Sequence, residues 1–331
     1  MAIKKLRDTD YLYISSYIHA IELRLIGAAK LERMIAAPDP ASALKVLEES
    51  GWKTARVQTP EQLEAVLSER RSDVFGELAG QVPNPALVDA FRVKYDYHNA
   101  KVLVKGAAAG IDGSRLLSGA GRIAPETLKA AFAENDLRNL PPTFSGAIVK
   151  AVEILAKTGD PQLADFELDR AYFEEFLALA VKSGSEFLQK YAQITIDAAN
   201  LRSGVRAKRT GQELFAALAD GGAVPVRELI RATESAELFL SQFKKSALSG
   251  VLEAAAGAFH GGTFTELEKR IDELLLGYLA ESKKSPFGDM SVAGYIGAVE
   301  NEIAAVRTVM TGKYAGLDAD TVRSRLRLHQ M

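Results

Sequence analysis

The sequence predicts an all-α protein, and three observations support this prediction. Apolar residues recur at the spacing of amphipathic helices, as in the stretch 170–181. Ala, Leu, Glu, Lys and Arg, which are good helix formers, dominate the composition of the 331-residue chain. The strict alternation of apolar and polar residues that marks a half-buried strand is not found over any convincing length. We therefore expect a series of packed helices.

The predicted helices are separated by short turns. Proline and glycine clusters mark these turns at 38–40, 83–85, 139–142, 159–161, 221–222 and 285–288. No long Gly/Ser-rich or Pro-rich linker connects the helices. The sequence therefore predicts a stiff chain of packed helices.

An internal repeat is the most informative feature of the sequence. Three stretches open with a polar residue, Asn99, Asp197 or Glu302, and continue with mostly small or aliphatic residues at +3, +4, +7 and +8. The residues that define the repeat further are Leu103, Asn200, Leu201, Arg202, Val306 and Arg307. We expect the three polar residues to lie at matching places on three superposable helices. Chance similarity among amphipathic helices is the alternative.

A second pattern follows each of the three stretches. It consists of two apolar residues five positions apart, preceded by a glycine. The pairs are Ile123 and Leu128, Val224 and Leu229, and Leu317 and Val322, with a looser copy at 57–63. Together the two patterns predict helical units at 1–92, 93–188 and 189–291, and a closing segment at 292–331 that packs back on the first unit.

Two of the polar residues that open the repeat are acids on otherwise apolar helix faces. Asp197 and Glu302 would therefore be buried, and a buried carboxylate needs a hydrogen-bond or ion-pair partner. Arg202 and Arg307 are the candidate partners. A proton-handling role for the two acids is the alternative.

The sequence offers no candidate catalytic, cofactor or metal site. The chain has no cysteine, and no two of its four histidines have the i, i+4 spacing of a helical zinc pair. The glycine-rich stretch 106–113 lacks the spacing of a dinucleotide-binding loop, and neither a P-loop nor a Gly-x-Ser-x-Gly elbow is found. We expect no cofactor, no metal and no catalytic residue.

Charge and hydropathy favour a protein of the cytosol. The formal net charge is −2, whereas nucleic-acid-binding domains are usually strongly basic. The longest stretch without Asp, Glu, Lys or Arg has 12 residues, and a membrane-spanning helix needs about 20. The N-terminus does not read as a secretory signal. We expect a soluble, cytoplasmic protein without nucleic acid or a small-molecule substrate as partner.

Two clusters of basic residues are candidate docking surfaces. They consist of Arg206, Lys208 and Arg209, and of Arg323, Arg325 and Arg327. Cations near helix C-termini also complement the helix dipole, which is the structural explanation for both clusters. The functional explanation is docking to an acidic protein surface or to lipid headgroups.

The repeat residues also carry a resemblance to a known family. The stretches 95–105, 197–202 and 302–307, together with the ending 316–327, resemble the C subunits of bacterial and archaeal V-type (A-type) ATPases, the counterparts of the eukaryotic d subunit. The resemblance covers nearly the whole chain. It implies a funnel-shaped, all-helical subunit of three similar units around a pseudo-threefold axis.

The same resemblance implies a function. The C subunits are non-catalytic parts of the central stalk, and they couple the rotor shaft, formed by the D and F subunits, to the membrane proteolipid ring. Such a protein would lie at the inner face of the membrane and would serve ion transport linked to ATP synthesis or hydrolysis. A generic helical-repeat scaffold and a helical enzyme with a non-local site are the alternatives.

Overall fold

The computed structural model of the protein describes residues 6–210 and 214–327. All regular secondary structure within these two ranges is helical. The predicted all-α class is therefore confirmed.

The described residues form fifteen α-helices and five short 3-10 helices. The α-helices are α1 (Leu12–Glu22), α2 (Ala28–Ala36), α3 (Pro40–Glu48), α4 (Pro60–Ala79), α5 (Ala86–Ala109), α6 (Pro125–Ala133), α7 (Pro142–Thr158), α8 (Pro161–Ser183), α9 (Glu186–Thr210), α10 (Val226–Arg231), α11 (Ala236–Ser241), α12 (Leu252–Phe259), α13 (Phe264–Ala280), α14 (Asp289–Tyr314) and α15 (Ala319–Arg325). The 3-10 helices are Asp8–Tyr11, Ser114–Leu116, Leu214–Ala217, Ala247–Val251 and Glu281–Lys284.

Local sequence signals explain where many of these helices begin and end. Prolines occupy the first turn of α3, α4, α6, α7 and α8, where a missing N–H group leaves no helical hydrogen bond unmade. The side chains of Asp39, Thr59, Asp160 and Asp318 accept hydrogen bonds from N–H groups of the turn that follows. Left-handed glycines follow the last residues of α5, α7 and α8.

Residues Asn84–Leu275 form one of two compact units. Its centre is the packing of α5, α7 and α9 against α8. Aromatic rings fill part of this core: the ring of Tyr97 on α5 meets Phe144 on α7 edge to face at 5.0 Å, and Tyr172 on α8 edge to face at 6.0 Å between ring centroids. Such contacts bury large apolar areas and fix the helices against one another.

The other compact unit combines the two ends of the sequence, Lys4–Pro83 and Leu276–Met331, of which residues 6–83 and 276–327 are described. The long helix α14 packs against α4, α1 and α2, and α15 packs against α2. Val292, Ile296, Ile303 and Val306 of α14 are fully buried. The division of the chain into three similar units about a pseudo-threefold axis stays a prediction.

No helix among the described residues is both long enough and apolar enough to span a membrane.

Candidate functional site: three buried carboxylates

The first buried carboxylate is Asp96 on α5. Its side chain is fully buried and accepts a hydrogen bond from the backbone N–H of Ile123 at 3.1 Å. Nε of Arg122 donates to the second carboxylate oxygen at 2.7 Å. Burial raises the pKa of Asp96, and the positive charge of Arg122 opposes that rise.

Arg122 connects Asp96 to a wider polar network. Its Nη1 lies 2.8 Å from Oε1 of Glu175 on α8, and the Tyr97 hydroxyl donates to Glu175 at 3.0 Å. Arg122 and Glu175 are mostly buried, so the network is shielded from solvent. The network therefore ties α5, α8 and the loop before α6 together through charged groups.

The second buried carboxylate is Asp197 on α9. Its two oxygens accept hydrogen bonds from the backbone N–H groups of Ala223 and Val224, both at 3.1 Å. Among the described residues no cation forms an ion pair with Asp197. Burial raises the pKa of Asp197, and the two backbone hydrogen bonds oppose that rise.

An asparagine one helical turn later makes the same contact in both places. The carboxamide of Asn99 donates to the carbonyl of Ser118 at 2.9 Å and accepts from its N–H at 2.7 Å. The carboxamide of Asn200 does the same with Ala219, at 2.8 and 2.9 Å. In both cases the partner lies 19 residues downstream.

These hydrogen bonds pair Asp96 with Asp197 and Asn99 with Asn200. The pairing differs by three residues from the register expected from the sequence, which placed Asn99 opposite Asp197. The apolar face of a helix recurs every three or four residues, so a shift of three leaves the apolar pattern almost unchanged. Burial agrees with the new register, since Ala100 and Leu201 are fully buried whereas Leu103 is only half-buried.

The third buried carboxylate is Glu302 on α14. Its side chain is fully buried, accepts a hydrogen bond from the backbone N–H of Ile26 at 2.7 Å, and lies 3.5 Å from Nη2 of Arg70 on α4. Burial raises the pKa of Glu302, and the charge of Arg70 opposes that rise. Glu302 therefore has the same two features as Asp96, a backbone N–H donor and an arginine.

The contact of Glu302 with Ile26 identifies an apolar pair that the sequence pattern did not reveal. Ile26 and Leu31 are buried and five residues apart, like Ile123 and Leu128 in the Asp96 site. The sequence pattern predicted the corresponding pair at 317 and 322, and a looser copy at 57–63. The match was hidden because the element that serves the last helix stands near the beginning of the chain.

Two glycines allow the chain to pass close to the aspartates. A Cβ atom added at Gly121 would lie 2.3 Å from Oδ1 of Asp96, and one at Gly222 would lie 2.1 Å from Oδ1 of Asp197. No real Cβ contact is that short, so both positions exclude a side chain unless the aspartate moves. The corresponding position before Ile26 is Arg24. We attribute this difference to the extra methylene of Glu302, which lets its carboxylate reach the loop from farther away.

The expected pairing of the buried acids with Arg202 and Arg307 is wrong. Nε of Arg202 lies 2.7 Å from Glu268, and its Nη2 lies 3.0 Å from Asp272, both on α13. Nε of Arg307 lies 2.6 Å from Glu64 on α4. Five residues turn a helix by about 140°, so each arginine leaves its helix on a different side from the acid.

The cations five residues after the aspartates form a second repeated contact. Lys101 lies 2.6 Å from Asp169, and Lys105 lies 3.0 Å from Asp165. The two lysines are four positions apart, and so are Arg202 and Arg206. Nη2 of Arg206 lies 3.1 Å from Glu268. Two ion pairs thus tie α5 to α8, and three tie α9 to α13. The pairs are partly exposed, so each contributes little to stability.

The first basic cluster lies at the exposed end of α9. The guanidinium groups of Arg206 and Arg209 lie 5.5 and 5.2 Å from the ring centroid of Phe264, a cation–π geometry. Arg209 also donates to the carbonyl of Gly262 at 2.8 Å. Lys208 is exposed and has no ion-pair partner among residues 6–210 and 214–327.

The second basic cluster lies on and after α15. Arg323 lies 3.0 Å from Glu32 and 2.8 Å from Asp320. Arg325 is exposed, and Arg327 donates to its carbonyl oxygen at 2.6 Å. Part of each cluster is therefore already engaged within the chain.

Nothing in the described part of the chain forms a group of three or more His, Asp or Glu residues that could hold a metal ion. Each buried carboxylate has its own backbone N–H donor. Their arrangement supports structure, because a carboxylate held by backbone N–H groups fixes the position of a loop on a helix.

The sequence profile of the ATP synthase (C/AC39) subunit family matches residues 14–325. This chain belongs to that family. The match includes all three buried carboxylates and both basic clusters up to Arg325.

Curated relatives of the C/AC39 family align over most of their length. The chain is similar to the C subunit of the V-type sodium ATPase of Enterococcus hirae, with 23% identity over 96% of this chain and 98% of the relative. It is also similar to the C subunit of the A-type ATP synthase of Haloferax volcanii, with 24% identity over 95% and 96% of the two chains. A third relative, the C subunit of the A-type ATP synthase of Halorubrum lacusprofundi, is 25% identical over 72% of this chain and 73% of its own.

Proposed function

We propose that this protein is the C subunit of a V/A-type rotary ATPase and joins the rotor shaft to the membrane proteolipid ring. The observation that carries the proposal is the family match over 14–325, supported by relatives that share the length of the chain. Its partners would be the D and F subunits of the shaft and the ring, at the inner face of the membrane. The protein would have no active site of its own.

The repeated construction of the helices supports this role. A coupling protein must transmit torque without deforming, and deformation is resisted when loops and helices are joined by buried polar contacts that have few alternative partners. The sites of Asp96, Asp197 and Glu302 provide such contacts in both compact units. We propose that the three sites mark three similar units around a pseudo-threefold axis, with boundaries at 1–92, 93–188, 189–291 and a closing segment at 292–331.

The two basic clusters are the proposed docking surfaces. Lys208 and Arg325 keep exposed charges without an ion pair to another described residue, so they are available to an acidic partner. Arg206 and Arg209 frame the ring of Phe264, which adds an apolar contact area to the charges. Docking through such surfaces weakens as the salt concentration rises.

Reconstitution of the complex tests the proposed function. The tagged chain, expressed with the other components of the ATPase from the same organism, should co-purify with shaft and ring. A complex assembled without the chain should hydrolyse ATP but fail to pump ions. Co-purification with unrelated proteins only would contradict the proposal and favour a generic helical scaffold.

Calorimetric titration tests the non-catalytic role. The sequence lacks a P-loop, so we expect the isolated chain neither to hydrolyse ATP nor to bind Mg-ATP at micromolar concentration. Micromolar binding of Mg-ATP to the isolated chain would contradict this part of the proposal.

A further inference from the structure

A cavity of about 470 Å³ lies within the unit formed by the two ends of the sequence. Its walls come from α1 and the residues after it, the end of α13, and α14. Ile18, Leu25, Leu276 and Leu279 make much of the lining apolar. The volume and the apolar character are those of small-molecule binding pockets.

Two neutral polar side chains of α14, those of Ser291 and Asn301, line this cavity. Ser291 is 7% exposed, and its hydroxyl oxygen has no hydrogen-bond partner in the part of the chain that the structure describes. Asn301 is 5% exposed, and no hydrogen bond joins its carboxamide to another described residue. A buried hydroxyl group without a partner is unfavourable, so a ligand in the cavity would stabilise the Ser291 hydroxyl by bonding to it, and the Asn301 carboxamide lines the same cavity.

The position of the two groups on α14 shows that they face the cavity together. Ser291, Gly294, Ala298 and Asn301 follow one another at spacings of three and four residues, which places them on one helix face. All four line the cavity. Ala298 is the small side chain that faces the cavity between the two polar groups, whereas Gly294 allows Ser282 to approach closely, because a Cβ atom added there would collide with Oγ of Ser282.

The charged residues of the lining lie at its exposed rim. Glu22 pairs with His19 at 3.1 Å, with side chains 38% and 50% exposed, and Lys283 is exposed. The buried part of the lining thus offers neutral donors and acceptors in apolar surroundings. A charged ligand would lose its hydration there without a countercharge, whereas a hydroxyl group can both donate and accept.

We propose that this cavity binds one uncharged amphiphile, an aliphatic molecule that carries a hydroxyl group. The hydroxyl bonds to Ser291 and Asn301, and the aliphatic part lies against the leucines and isoleucine. The site is independent of the proposed role in the rotary ATPase, because it needs neither the shaft nor the ring.

The test uses 1-octanol and octanoate as probes with the isolated full-length chain. Calorimetry should show saturable one-to-one binding of 1-octanol and at least about tenfold weaker binding of octanoate, the loss expected when a charge is buried without a partner. Binding of 1-octanol should also raise Tm. Equal binding of both probes, or no saturable binding of 1-octanol, would overturn the proposal.

Two variants locate the site, and a third serves as control. Ala298→Phe fills the cavity and should abolish 1-octanol binding. Asn301→Leu removes the carboxamide that bonds to the hydroxyl group and should weaken 1-octanol binding about tenfold. Ala304→Phe places the same ring on the exposed side of α14 and should leave binding unchanged. Unchanged binding in Asn301→Leu would overturn the assignment even if Ala298→Phe fails to fold.

Discussion

Asp96 and Asp197 occupy equivalent places on α5 and α9, yet the charges around them differ. Both accept a hydrogen bond from a backbone N–H 27 residues downstream, and both lie against a glycine. The residue that follows the glycine is Arg122 in the first site and Ala223 in the second. The repeated backbone contact therefore does not depend on an ion pair.

Glu302 extends the comparison, because its arginine comes from elsewhere. Arg70 belongs to α4 and not to the loop that supplies the N–H donor. Asp96 is thus paired with a cation from the loop and Glu302 with a cation from a packed helix, whereas Asp197 has no ion-pair partner among the described residues. The three sites share the hydrogen bond from a backbone N–H of a loop to a carboxylate on a helix. They differ in whether a cation lies beside the carboxylate and in which element supplies it.

The largest expected effect comes from removing the cation of the first site. Arg122→Met leaves Asp96 and Glu175 buried without their arginine, which should cost about 3–5 kcal/mol of unfolding free energy. Urea denaturation measures this loss. Lys101 lies on α5, the helix that carries Asp96, and its ion pair with Asp169 is partly exposed. Lys101→Met should therefore cost less than about 1 kcal/mol of unfolding free energy. If both variants lose similar unfolding free energy, burial of the ion pair does not explain the contribution of Arg122 to stability.

Truncation of two leucines tests whether Asp96 or Asn99 on α5 is the residue that corresponds to Asp197 on α9. Leu201 is fully buried, so Leu201→Ala should cost about 2–5 kcal/mol through lost burial and a residual cavity. Leu103, its partner in the register expected from sequence, is half-buried and should cost clearly less. Thermal and urea unfolding of both variants measure the difference. Equal losses would favour the register in which Asn99 matches Asp197.

The close approach of loop and carboxylate can be tested at a glycine. Gly222→Ala introduces a Cβ that would lie 2.1 Å from Asp197, so we expect a loss of about 1–3 kcal/mol. Gly146→Ala is the control, because Gly146 lies in α7 with no atom near an added Cβ and should gain up to about 1 kcal/mol in helix propensity. A neutral Gly222→Ala in urea denaturation would show that the loop has room to move.

The absence of a cation paired with Asp197 among the described residues should appear in the pH dependence of stability. Burial raises the pKa of Asp197 above its ordinary value of 3.8, so the unfolded chain ionises first as pH rises. The wild type should therefore lose up to about 1.4 kcal/mol per pH unit between 3.8 and the raised pKa, relative to Asp197→Asn. Ala223→Arg, which copies Arg122 into the second site, should reduce this slope. Urea denaturation across a pH series measures it.

An N-cap aspartate provides the control of opposite sign. Hydrogen bonds from the Thr321 hydroxyl and N–H lower the pKa of Asp318, so the stabilisation that it contributes is present above pH 3.8 and is lost as pH falls. The stability lost in Asp318→Asn should therefore grow as pH rises toward 3.8, whereas that lost in Asp197→Asn should shrink as pH rises above 3.8. The same sign in both variants would contradict the assigned direction for Asp197.

The smallest effect on stability is expected at the exposed cluster of α9. Arg206→Ala should change the unfolding free energy by less than about 0.5 kcal/mol. If the cluster docks a partner, the variant should weaken assembly with shaft or ring in the way that added salt does. A salt-titrated pull-down measures this, with Arg270→Ala on α13 as a control of equal charge change. Normal assembly of Arg206→Ala would leave the cluster without a docking role.

The sequence alone determined the all-helical class, the separation of helices by short turns and the existence of a repeat. These properties are local, since helical periodicity, proline and glycine act within a few residues. The resemblance to the C subunits of rotary ATPases, carried by short stretches of sequence, led to the family that the profile match established.

Only the tertiary structure decided the register of the repeat and the partners of the buried acids. A helical pattern recurs every three or four residues, so apolar spacing could not distinguish Asn99 from Asp96 as the partner of Asp197. Ile26 and Arg70 meet Glu302 across more than 200 residues of chain, a contact that no local pattern encodes. Long-range hydrogen bonds depend on how helices pack, and packing joins residues regardless of their separation in sequence.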